Sequence, residues 1–436
     1  MGYSAFLRIA GISAACLVLS SFSGKKNFDV DEFLHADHLR YASNMYHYEV
    51  VDSTVTSAPR GYLPFYISHI GRHGSRGHNE PESYRYLDTL ETLSSRGCLT
   101  EEGEQFLSLL KDIRRQNETV GYGVLTDRGK WEHANIARRM GENYPQLFSD
   151  PSRSHVRCFT TTVPRVMESM ESFTASLSEM YPGLSMVKSK SKDSPFARSQ
   201  VATPGFTDEQ RQELDKVHTT PFRDSIYRDA DFSRLVKKTF VDGKLPSSLA
   251  GKEAKLFESC YFAGTVRQCY MTDTLGWVEP YFTEDELYMF WKSTNAHQLQ
   301  KWGWTAENKG YRAHCTECIL NNIISDADAV VAGADTCATL RFTHDSVVLP
   351  LMCLIGVRGC DWHGSFREIH EHSAMSYSMH MAGNLQLVFF RNSRNDVLVK
   401  ILINEEETII PALKPDRKGL FYKWDRLKEY LRSVQN

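Results

Sequence analysis

The sequence lacks any marked excess of charge of one sign. It contains 51 lysine and arginine residues against 54 aspartate and glutamate residues, which gives a formal net charge of -3 at pH 7. A protein that binds nucleic acid through a broad surface needs a cationic excess, so this balance argues against that class. An anion-binding surface in this chain must therefore be local and built from a few arginines.

Long hydrophobic runs are also absent, apart from one short apolar stretch at Ile9–Ser20. This stretch follows Arg8 and precedes a serine-rich segment. It is too short for a convincing transmembrane span, and its shape is typical of a secretory signal. We predict a cleaved signal over residues 1–23, export to the periplasm or the medium, and no stable membrane insertion. A lipid anchor at Cys16 is the weaker alternative, because the aliphatic residue expected three positions earlier is missing.

The cysteines form no recognisable metal-binding framework. Of the ten cysteines, Cys16 lies in the predicted signal and nine follow it, and this odd number leaves at least one thiol unpaired. Cys315 and Cys318 follow His314 with the spacing of half a zinc site or of a redox pair. No second pair of this spacing lies nearby, so packing or a local disulfide is the favoured interpretation. We expect no metal and no cofactor.

Apolar segments that each end at a polar loop predict the strands of an α/β layer. Tyr62–Ile70 breaks at a glycine, His155–Phe159 leads into a turn and a helix, and Ala338–Thr343 alternates apolar and polar residues. Strands that alternate with helices favour a mainly parallel sheet. Leu385–Arg391 and Val397–Ile403 are joined by a polar turn and predict a hairpin at the edge of this sheet.

The middle of the chain differs, because residues 200–309 are rich in helical signals and have no clear strand. Thr283 and Glu286 form the signature of a capping box at the start of one of these helices. We predict an α/β fold with a mainly parallel central sheet flanked by helices, and a second, mostly helical cap domain. The predicted boundaries are residues 1–23 for the signal, 24–165 and 310–436 for the discontinuous α/β domain, and 166–309 for the cap.

A cluster of cationic and imidazole side chains follows the first predicted strand, in the run Arg72-His73-Gly74-Ser75-Arg76. The loops after the strands of an open α/β sheet line its ligand crevice. Guanidinium groups match phosphate oxygens and keep their charge at any working pH. Two of them beside His73 disfavour the protonated imidazole and leave a neutral nucleophile. The alternative is a basic surface loop, and this run alone does not decide between the two.

Two later segments supply groups that such a nucleophile needs. Asp345 follows the strand predicted at 338–343 and can protonate a departing alcohol if it is held neutral, while His344 can donate a hydrogen bond to phosphate. Taken alone, Asp345 is also well explained as a helix N-cap, and both roles can hold at once. Arg165 stands near the start of a predicted helix, where a cation is unfavourable unless an anion is nearby. We expect Arg165 to bind phosphate rather than to be a surface arginine.

The chain resembles the histidine acid phosphatases, the branch-two histidine phosphatases that include phytases and multiple inositol polyphosphate phosphatases. Together the matching segments extend over most of the chain, from about Tyr62 to Asn404, and their order and spacing are more specific than any one of them. In chain order they are positions 72–76, 123–129, 157–173, 340–345, 382–387 and 396–400.

The resemblance implies a phosphohistidine mechanism with His73 as nucleophile and Asp345 as proton donor to the leaving group, without a metal. It implies four phosphate-binding side chains: Arg72, Arg76, Arg165 and His344. It also implies the phosphoglycerate mutase-like fold, with substrate bound between an α/β domain and a mostly helical one. One departure is His78, which stands where the family often has proline and which we expect as a possible substrate contact.

The substrate implied is a small-molecule phosphate monoester. Inositol polyphosphate phosphatases commonly carry His-Ala-Glu where this chain has His344-Asp345, which favours the phytase and sugar-phosphatase pattern. We expect an exported acid phosphomonoesterase acting on inositol polyphosphates such as phytate, or on sugar phosphates. A phosphomutase-like enzyme is disfavoured by the export signal, and an inactive phosphoester-binding protein by the proton donor Asp345. The sequence does not indicate the oligomeric state.

Overall fold

A computed structural model of the chain describes residues 28–48, 55–150, 155–190, 208–271 and 281–435. The predicted signal over residues 1–23, with Cys16, lies outside the described residues. The strands are β1 (Leu63–Arg72), β2 (His155–Thr160), β3 (Ser185–Lys190), β4 (Ala338–Thr343), β5 (Asn384–Arg391), β6 (Val397–Ile403), β7 (Glu406–Thr408) and β8 (Phe421–Lys423).

The α-helices are α1 (Val30–His35), α2 (Arg85–Ser94), α3 (Glu101–Val120), α4 (Asp127–Asn143), α5 (Pro145–Phe148), α6 (Pro164–Met180), α7 (Asp208–Leu214), α8 (Thr220–Arg228), α9 (Ser233–Thr239), α10 (Glu253–Thr265), α11 (Glu284–Trp302), α12 (Tyr311–His314), α13 (Glu317–Val331), α14 (Asp345–Ile355), α15 (Met375–Ser378) and α16 (Trp424–Ser433). Shorter helical turns of other geometry lie at His38–Met45, Pro81–Tyr84, Asp215–Thr219, Val241–Gly243, Ser247–Leu249, Val266–Cys269 and Ile369–Glu371. The predicted capping box of Thr283 and Glu286 is present at the start of α11.

One eight-stranded sheet forms the centre of the molecule, in the order β3-β2-β4-β1-β5-β6-β7, with β8 paired to β6. The first four strands of this order are parallel, whereas β5 to β8 are joined by antiparallel pairing. The predicted α/β fold with a central sheet flanked by helices is thus confirmed, but the sheet is mixed rather than mainly parallel, with parallel pairing confined to β3, β2, β4 and β1. Because parallel strands end at the same edge, the segments that follow β1, β2 and β4 meet there.

β5 and β6 form the predicted hairpin, in which Leu385 is opposite Ile403 and Arg391 is opposite Val397. Its expected position at the sheet edge is wrong, because β5 pairs with β1, while β7 and β8 both pair with β6. β7 and β8 have three residues each. Strands of three residues are too short to show an alternating pattern, so neither was predicted.

Helices cover both faces of the sheet and bury separate apolar clusters. On one face, α4 and α6 pack on side chains that include Leu340 and Phe342 of β4. On the other, α13, α14 and α16 pack on Ile70 of β1 and Phe389 of β5. Cover on both faces explains why all six residues of β4 are buried.

A third apolar cluster lies in the helical part of the molecule and joins α2, α3, α10 and α11, through side chains that include Leu90, Phe106, Phe257 and Phe290. The helices of residues 85–120 therefore pack with the cap, although the predicted boundary placed them in the α/β domain. Conversely, α6 packs on the sheet and β3 pairs with β2, although most of α6 and all of β3 follow the predicted boundary at residue 166. The chain therefore leaves the sheet layer twice, first at residues 85–120 and again after β3. Only the second of these segments differs clearly in composition from the rest of the chain.

Among the described residues, no helix is both long and apolar enough to cross a membrane. No disulfide links the nine cysteines beyond the predicted signal, all of which lie in the described part of the chain. The local disulfide considered for Cys315 and Cys318 is therefore not formed. Cys315 is buried and its Sγ donates to the carbonyl of Tyr311 at 3.0 Å, which agrees with the packing interpretation.

Candidate active site

The loop that carries His73 leaves β1 between β4 and the turn that precedes β5. The N–H of His73 donates to the carbonyl of Thr343 at 3.0 Å, and the carbonyl of His73 accepts from Ala382 at 3.0 Å. The preceding N–H, that of Arg72, donates to Gly383 at 2.8 Å. Backbone on both sides therefore fixes the position of His73.

Helix α4 packs directly against this loop, and only glycine fits at position 74. A Cβ on Gly74 would lie 2.4 Å from the carbonyl oxygen of Gly129, in the first turn of α4. Thr126, the N-cap of this helix, donates its N–H to the carbonyl of Ser75 at 2.9 Å. The two glycines let the backbones of loop and helix touch, which holds the loop against a rigid element.

β4 brings a second pair of predicted residues to the same place. His344 is the N-cap of α14 and Asp345 is its first residue. The ring centroid of His344 lies 5.6 Å from that of His73, with the rings inclined at 75°. Asp345 Oδ2 lies 3.1 Å from Nη2 of Arg72. Strand register explains this proximity, because Arg72 and Thr343 are partners across β1 and β4.

α6, which follows β2, adds a third arginine. The helix begins at Pro164, so Arg165 lies in its first turn. Burial is the main influence on the pKa values of His73 and His344, and the charge of Arg165 lowers both further. The structure thus brings together six of the residues predicted from the sequence: Arg72, His73, Arg76, Arg165, His344 and Asp345.

His73 is held as a neutral imidazole. Burial lowers its pKa well below the usual value, and the charges of Arg72, Arg76 and Arg165 lower it further. Its Nδ1 lies 2.9 Å from the carbonyl oxygen of Gly74. Since a carbonyl can only accept, Nδ1 carries the hydrogen and Nε2 keeps its lone pair. The nitrogen available for nucleophilic attack is therefore Nε2.

The surrounding donors are buried and incompletely paired. Burial lowers the pKa of Arg76 to about 10 and that of Arg165 in the same direction, and both side chains stay charged at neutral and acidic pH. Burial also lowers the pKa of His344 to about 4. The Nε atoms of Arg76 and Arg165 and Nε2 of His344 are buried without a hydrogen-bond partner in the described part of the chain. Buried donors without a partner are costly, so their convergence is typical of an anion site.

Asp345 is ionised in the ligand-free protein, whereas the sequence argument required a neutral carboxyl. Burial raises its pKa, but Arg72, Arg76 and His344 outweigh this effect and lower the pKa to about 2. The carboxylate also accepts the N–H of Ser346 at 2.8 Å. The reason for the difference is that the cations expected to bind phosphate lie beside the expected proton donor.

His78 is enclosed by the helical cap, and the expected contact with the substrate stays a prediction. Its side chain is 2% exposed, its ring packs 4.5 Å from that of Phe262, and its Nε2 bonds the carbonyl of that residue at 3.0 Å. Burial lowers its pKa to about 3. The N–H of His78 donates to Asn117 Oδ1 at 2.7 Å. A proline at this position could not make that bond.

Sequence reasoning missed two buried polar residues that hold the loop. Glu132 of α4 accepts the N–H of Ser75 at 2.7 Å, and Ser169 of α6 accepts the N–H of Gly74 at 3.1 Å. Glu132 lies one helical turn before Ile136 and shares its inward face. A polar residue on an apolar, inward-facing stripe was the signal that could have identified both.

Among the described residues, no group of three or more histidine, cysteine, aspartate or glutamate side chains is arranged to hold a metal ion. The expected absence of a metal stays a prediction, which activity in the presence of a chelator tests.

Residues 67–231 match the family described as the histidine phosphatase superfamily (branch 2). No curated protein matches the chain significantly. Among solved structures, the chain is similar to the multiple inositol polyphosphate phosphatase of Bifidobacterium longum in complex with phosphate, at 20% identity and a TM-score of 0.74 over 91% of this chain and 98% of that one. The complex of the same protein with inositol hexasulfate gives 19% identity and a TM-score of 0.73 with the same coverage.

The chain is also similar to the phytase from D. castellii, at 13% identity and a TM-score of 0.70 over 98% of this chain and 90% of that one. The resemblance stated from the sequence is therefore confirmed: the chain has the fold of these phosphatases, and its residues 67–231 match branch 2 of the histidine phosphatase superfamily.

Proposed function

We propose that the chain hydrolyses phosphate monoesters through a phosphohistidine intermediate on His73. The observation that carries this proposal is the convergence of a neutral imidazole, with its Nε2 lone pair free, and three guanidinium groups at one edge of the sheet, those of Arg72 and Arg76 buried and that of Arg165 half-buried. The cations can bind the oxygens of a phosphate group, and the imidazole nitrogen can attack its phosphorus atom. The family match over residues 67–231 supports the same reaction class.

In the first step, Nε2 of His73 forms a bond to phosphorus while the bond from phosphorus to the ester oxygen breaks. The three guanidinium groups and Nε2–H of His344 hold the remaining oxygens, where negative charge must be stabilised in the transition state. The departing alkoxide takes a proton from Asp345, which becomes a carboxylate.

In the second step, a water oxygen bonds to phosphorus and the bond from phosphorus to Nε2 of His73 breaks. The Asp345 carboxylate accepts one proton from this water as it attacks. Inorganic phosphate then leaves and His73 returns to the neutral state in which it began. The same carboxyl group thus acts as acid in one step and as base in the other, as microscopic reversibility allows.

The proton for the first step must arrive with the substrate, because Asp345 is ionised in the free protein. A phosphate monoester has its second pKa near 6, so its monoanion brings one proton to the site at acidic pH. The bound phosphate also offsets the charges of Arg72 and Arg76, which removes the influence that keeps the pKa of Asp345 low. Both effects predict that turnover is fastest at acidic pH.

For the substrate, we infer inositol polyphosphates such as phytate, or sugar phosphates. The two similar structures of the Bifidobacterium longum protein are complexes with phosphate and with inositol hexasulfate, and a phytase has the same fold. A substrate panel that contains phytate, hexose phosphates and a generic aryl phosphate discriminates between these classes.

The test of the reaction is phosphate release by the purified protein from the aryl phosphate, in the presence of a chelator. We expect release that is fastest at acidic pH and that disappears in His73→Ala. A wild-type protein that binds inorganic phosphate but releases none from any ester of the panel would be a binding protein. Movement of phosphate between positions of a sugar without net release would identify a mutase.

Export is part of the same proposal and rests on residues 1–23 alone. We expect the mature protein in the periplasm or the medium, with an N-terminus close to residue 24 by mass spectrometry. A lipid-modified Cys16 at the mature N-terminus would instead support the anchor, and an intact N-terminus in the cytoplasm would contradict export.

A further inference from the structure

Two successive backbone N–H groups of the loop after His73 are held by buried side chains from two different helices. The N–H of Gly74 donates to Oγ of Ser169 on α6 at 3.1 Å. The N–H of Ser75 donates to Oε2 of Glu132 on α4 at 2.7 Å. These two donors are therefore engaged by the protein, which leaves phosphate binding to the arginine and histidine side chains.

The hydroxyl of Ser169 joins two parts of the site. It accepts from Gly74 and donates to the carbonyl of Arg165, one helical turn earlier, at 2.8 Å. Ser169 is fully buried. One side chain therefore connects the residue after the nucleophile to the helical turn that carries a phosphate-binding arginine.

Glu132 acts on the next residue of the loop and is also fully buried. Its Oε1 accepts Oγ–H of Ser75 at 2.6 Å and the N–H of Tyr48 at 3.1 Å. Burial raises the pKa of Glu132, and its bonds from Ser75 and Tyr48 oppose that effect. The carboxyl group thus accepts hydrogen bonds from both the backbone and the side chain of Ser75. Through Tyr48 it also links the loop to the segment before β1.

We propose that Ser169 and Glu132 are positioning residues, which hold residues 73–76 so that Nε2 of His73 meets a phosphate already bound by the three arginines. Neither residue needs to touch the substrate. The inference rests on the proposed phosphatase function. Small displacements of a reacting atom reduce rates strongly, so losing either contact should affect chemistry more than stability.

The first test compares Ser169→Ala with Ser172→Ala, a matched control on the same helix. Ser172 donates to the carbonyl of Glu168 at 2.9 Å, a bond of the same kind that stays within α6. We expect Ser169→Ala to lower kcat/KM about tenfold, with most of the loss in kcat, while the Tm values of the two variants stay similar. Ser169→Thr keeps the hydroxyl and should recover most of the activity. Equal kcat/KM in Ser169→Ala and Ser172→Ala would overturn the proposal for Ser169.

The second test compares substitutions of Glu132 with Glu405→Ala. Glu405 is another buried glutamate that bonds Tyr48, through the hydroxyl at 2.7 Å, and it pairs with Arg139 rather than with the loop. We expect Glu405→Ala to lower Tm with little change in kcat, and Glu132→Ala to lower kcat/KM about a hundredfold. Glu132→Gln can still accept from the Ser75 N–H and should stay within about tenfold of the wild type.

The outcomes separate this inference from the proposed function. If the wild type releases no phosphate from any ester, the proposed function fails, and this inference, which rests on it, fails with it; if the wild type is active and Ser169→Ala equals Ser172→Ala in kcat/KM, only the inference for Ser169 fails. If the wild type is active and Glu132→Ala loses only Tm, as Glu405→Ala does, Glu132 has no positioning role. If Glu132→Ala does not fold, Ser169→Ala decides: wild-type kcat/KM in that variant overturns the proposal.

Discussion

Asp345 forms an ion pair with Arg72, at 3.1 Å between Oδ2 and Nη2, at the point where β1 and β4 end side by side. The proposed proton donor is therefore the counter-ion of a proposed phosphate ligand. Arg72 is fully buried, and Nη1 of its guanidinium also donates to the carbonyls of Asn44 and Met379. A phosphate that enters the site must share Arg72 with Asp345, so substrate binding and the protonation of this carboxyl are coupled.

The first prediction concerns the leaving group. Asp345→Asn removes the proton donor, so esters whose alcohols leave poorly should slow by about two to four orders of magnitude, the usual effect of general acid catalysis. Activated aryl esters need little protonation and should slow much less. The measurement is kcat for a series of esters ordered by the pKa of their alcohols, with the wild type alongside. A uniform loss across the series would mean that Asp345 is not the proton donor.

The second prediction concerns the covalent intermediate. His73→Ala removes the only atom proposed to attack phosphorus, so turnover should fall by at least about a thousandfold. The cation cluster stays in place, and phosphate should still bind. Rapid quenching of the wild type into alkali, where phosphohistidine survives, followed by peptide mass spectrometry should locate phosphate on His73. Its appearance on another residue would contradict the assignment.

Much of this site could be predicted from the sequence because each segment follows a strand. β1, β2 and β4 are recognisable from local pattern, and parallel strands must present their carboxyl ends at one edge. Arg72, Arg165 and Asp345 were therefore placed together without knowledge of side-chain contacts. The ionised state of Asp345 could not be predicted in this way. It depends on how close the carboxylate lies to the Arg72 guanidinium, and a local sequence pattern does not contain that distance.

Contacts between elements distant in the chain account for the remaining differences. His78 was expected as a substrate contact because it stands where the family often has proline, and that position gave no sign of its packing against Phe262 of the cap. Glu132 lies on α4, and the residue that it binds, Ser75, is 57 residues away in the chain. A local pattern identifies the inward face of a helix but not the group that a polar residue on that face will meet.

The third prediction uses the buried His78 to test stability against pH. Its pKa is about 3 in the folded protein, against about 6.5 for an unfolded chain, so the unfolded state binds the extra proton as the pH falls below 6.5. The contribution to stability is therefore complete above that pH and declines on acidification, by about 2 kcal/mol at pH 5. His78→Gln removes this titration and should lose less stability between neutral pH and pH 5, with kcat unchanged.

Denaturant unfolding at the two pH values measures this difference. A large fall in kcat for His78→Gln would instead support a contact between His78 and the substrate.

The last prediction follows from the unpaired donors around the proposed phosphate position. Nε of Arg165 is buried without a partner among the described residues, so an anion should relieve an electrostatic and hydrogen-bonding cost that the free protein bears. Inorganic phosphate at about a hundred times its Kd should therefore stabilise the folded protein by about 2.7 kcal/mol. Arg165→Ala should raise that Kd by about tenfold or more, since a hydrogen bond to a charged group contributes about 1.5–3 kcal/mol.

Arg138→Ala, which removes an exposed arginine paired with Glu142 on α4, should leave the phosphate-induced rise in Tm unchanged. Equal phosphate-induced shifts in Arg165→Ala and Arg138→Ala would remove Arg165 from the site, whereas loss of the shift in Arg165→Ala alone would establish it as a phosphate ligand independently of any turnover.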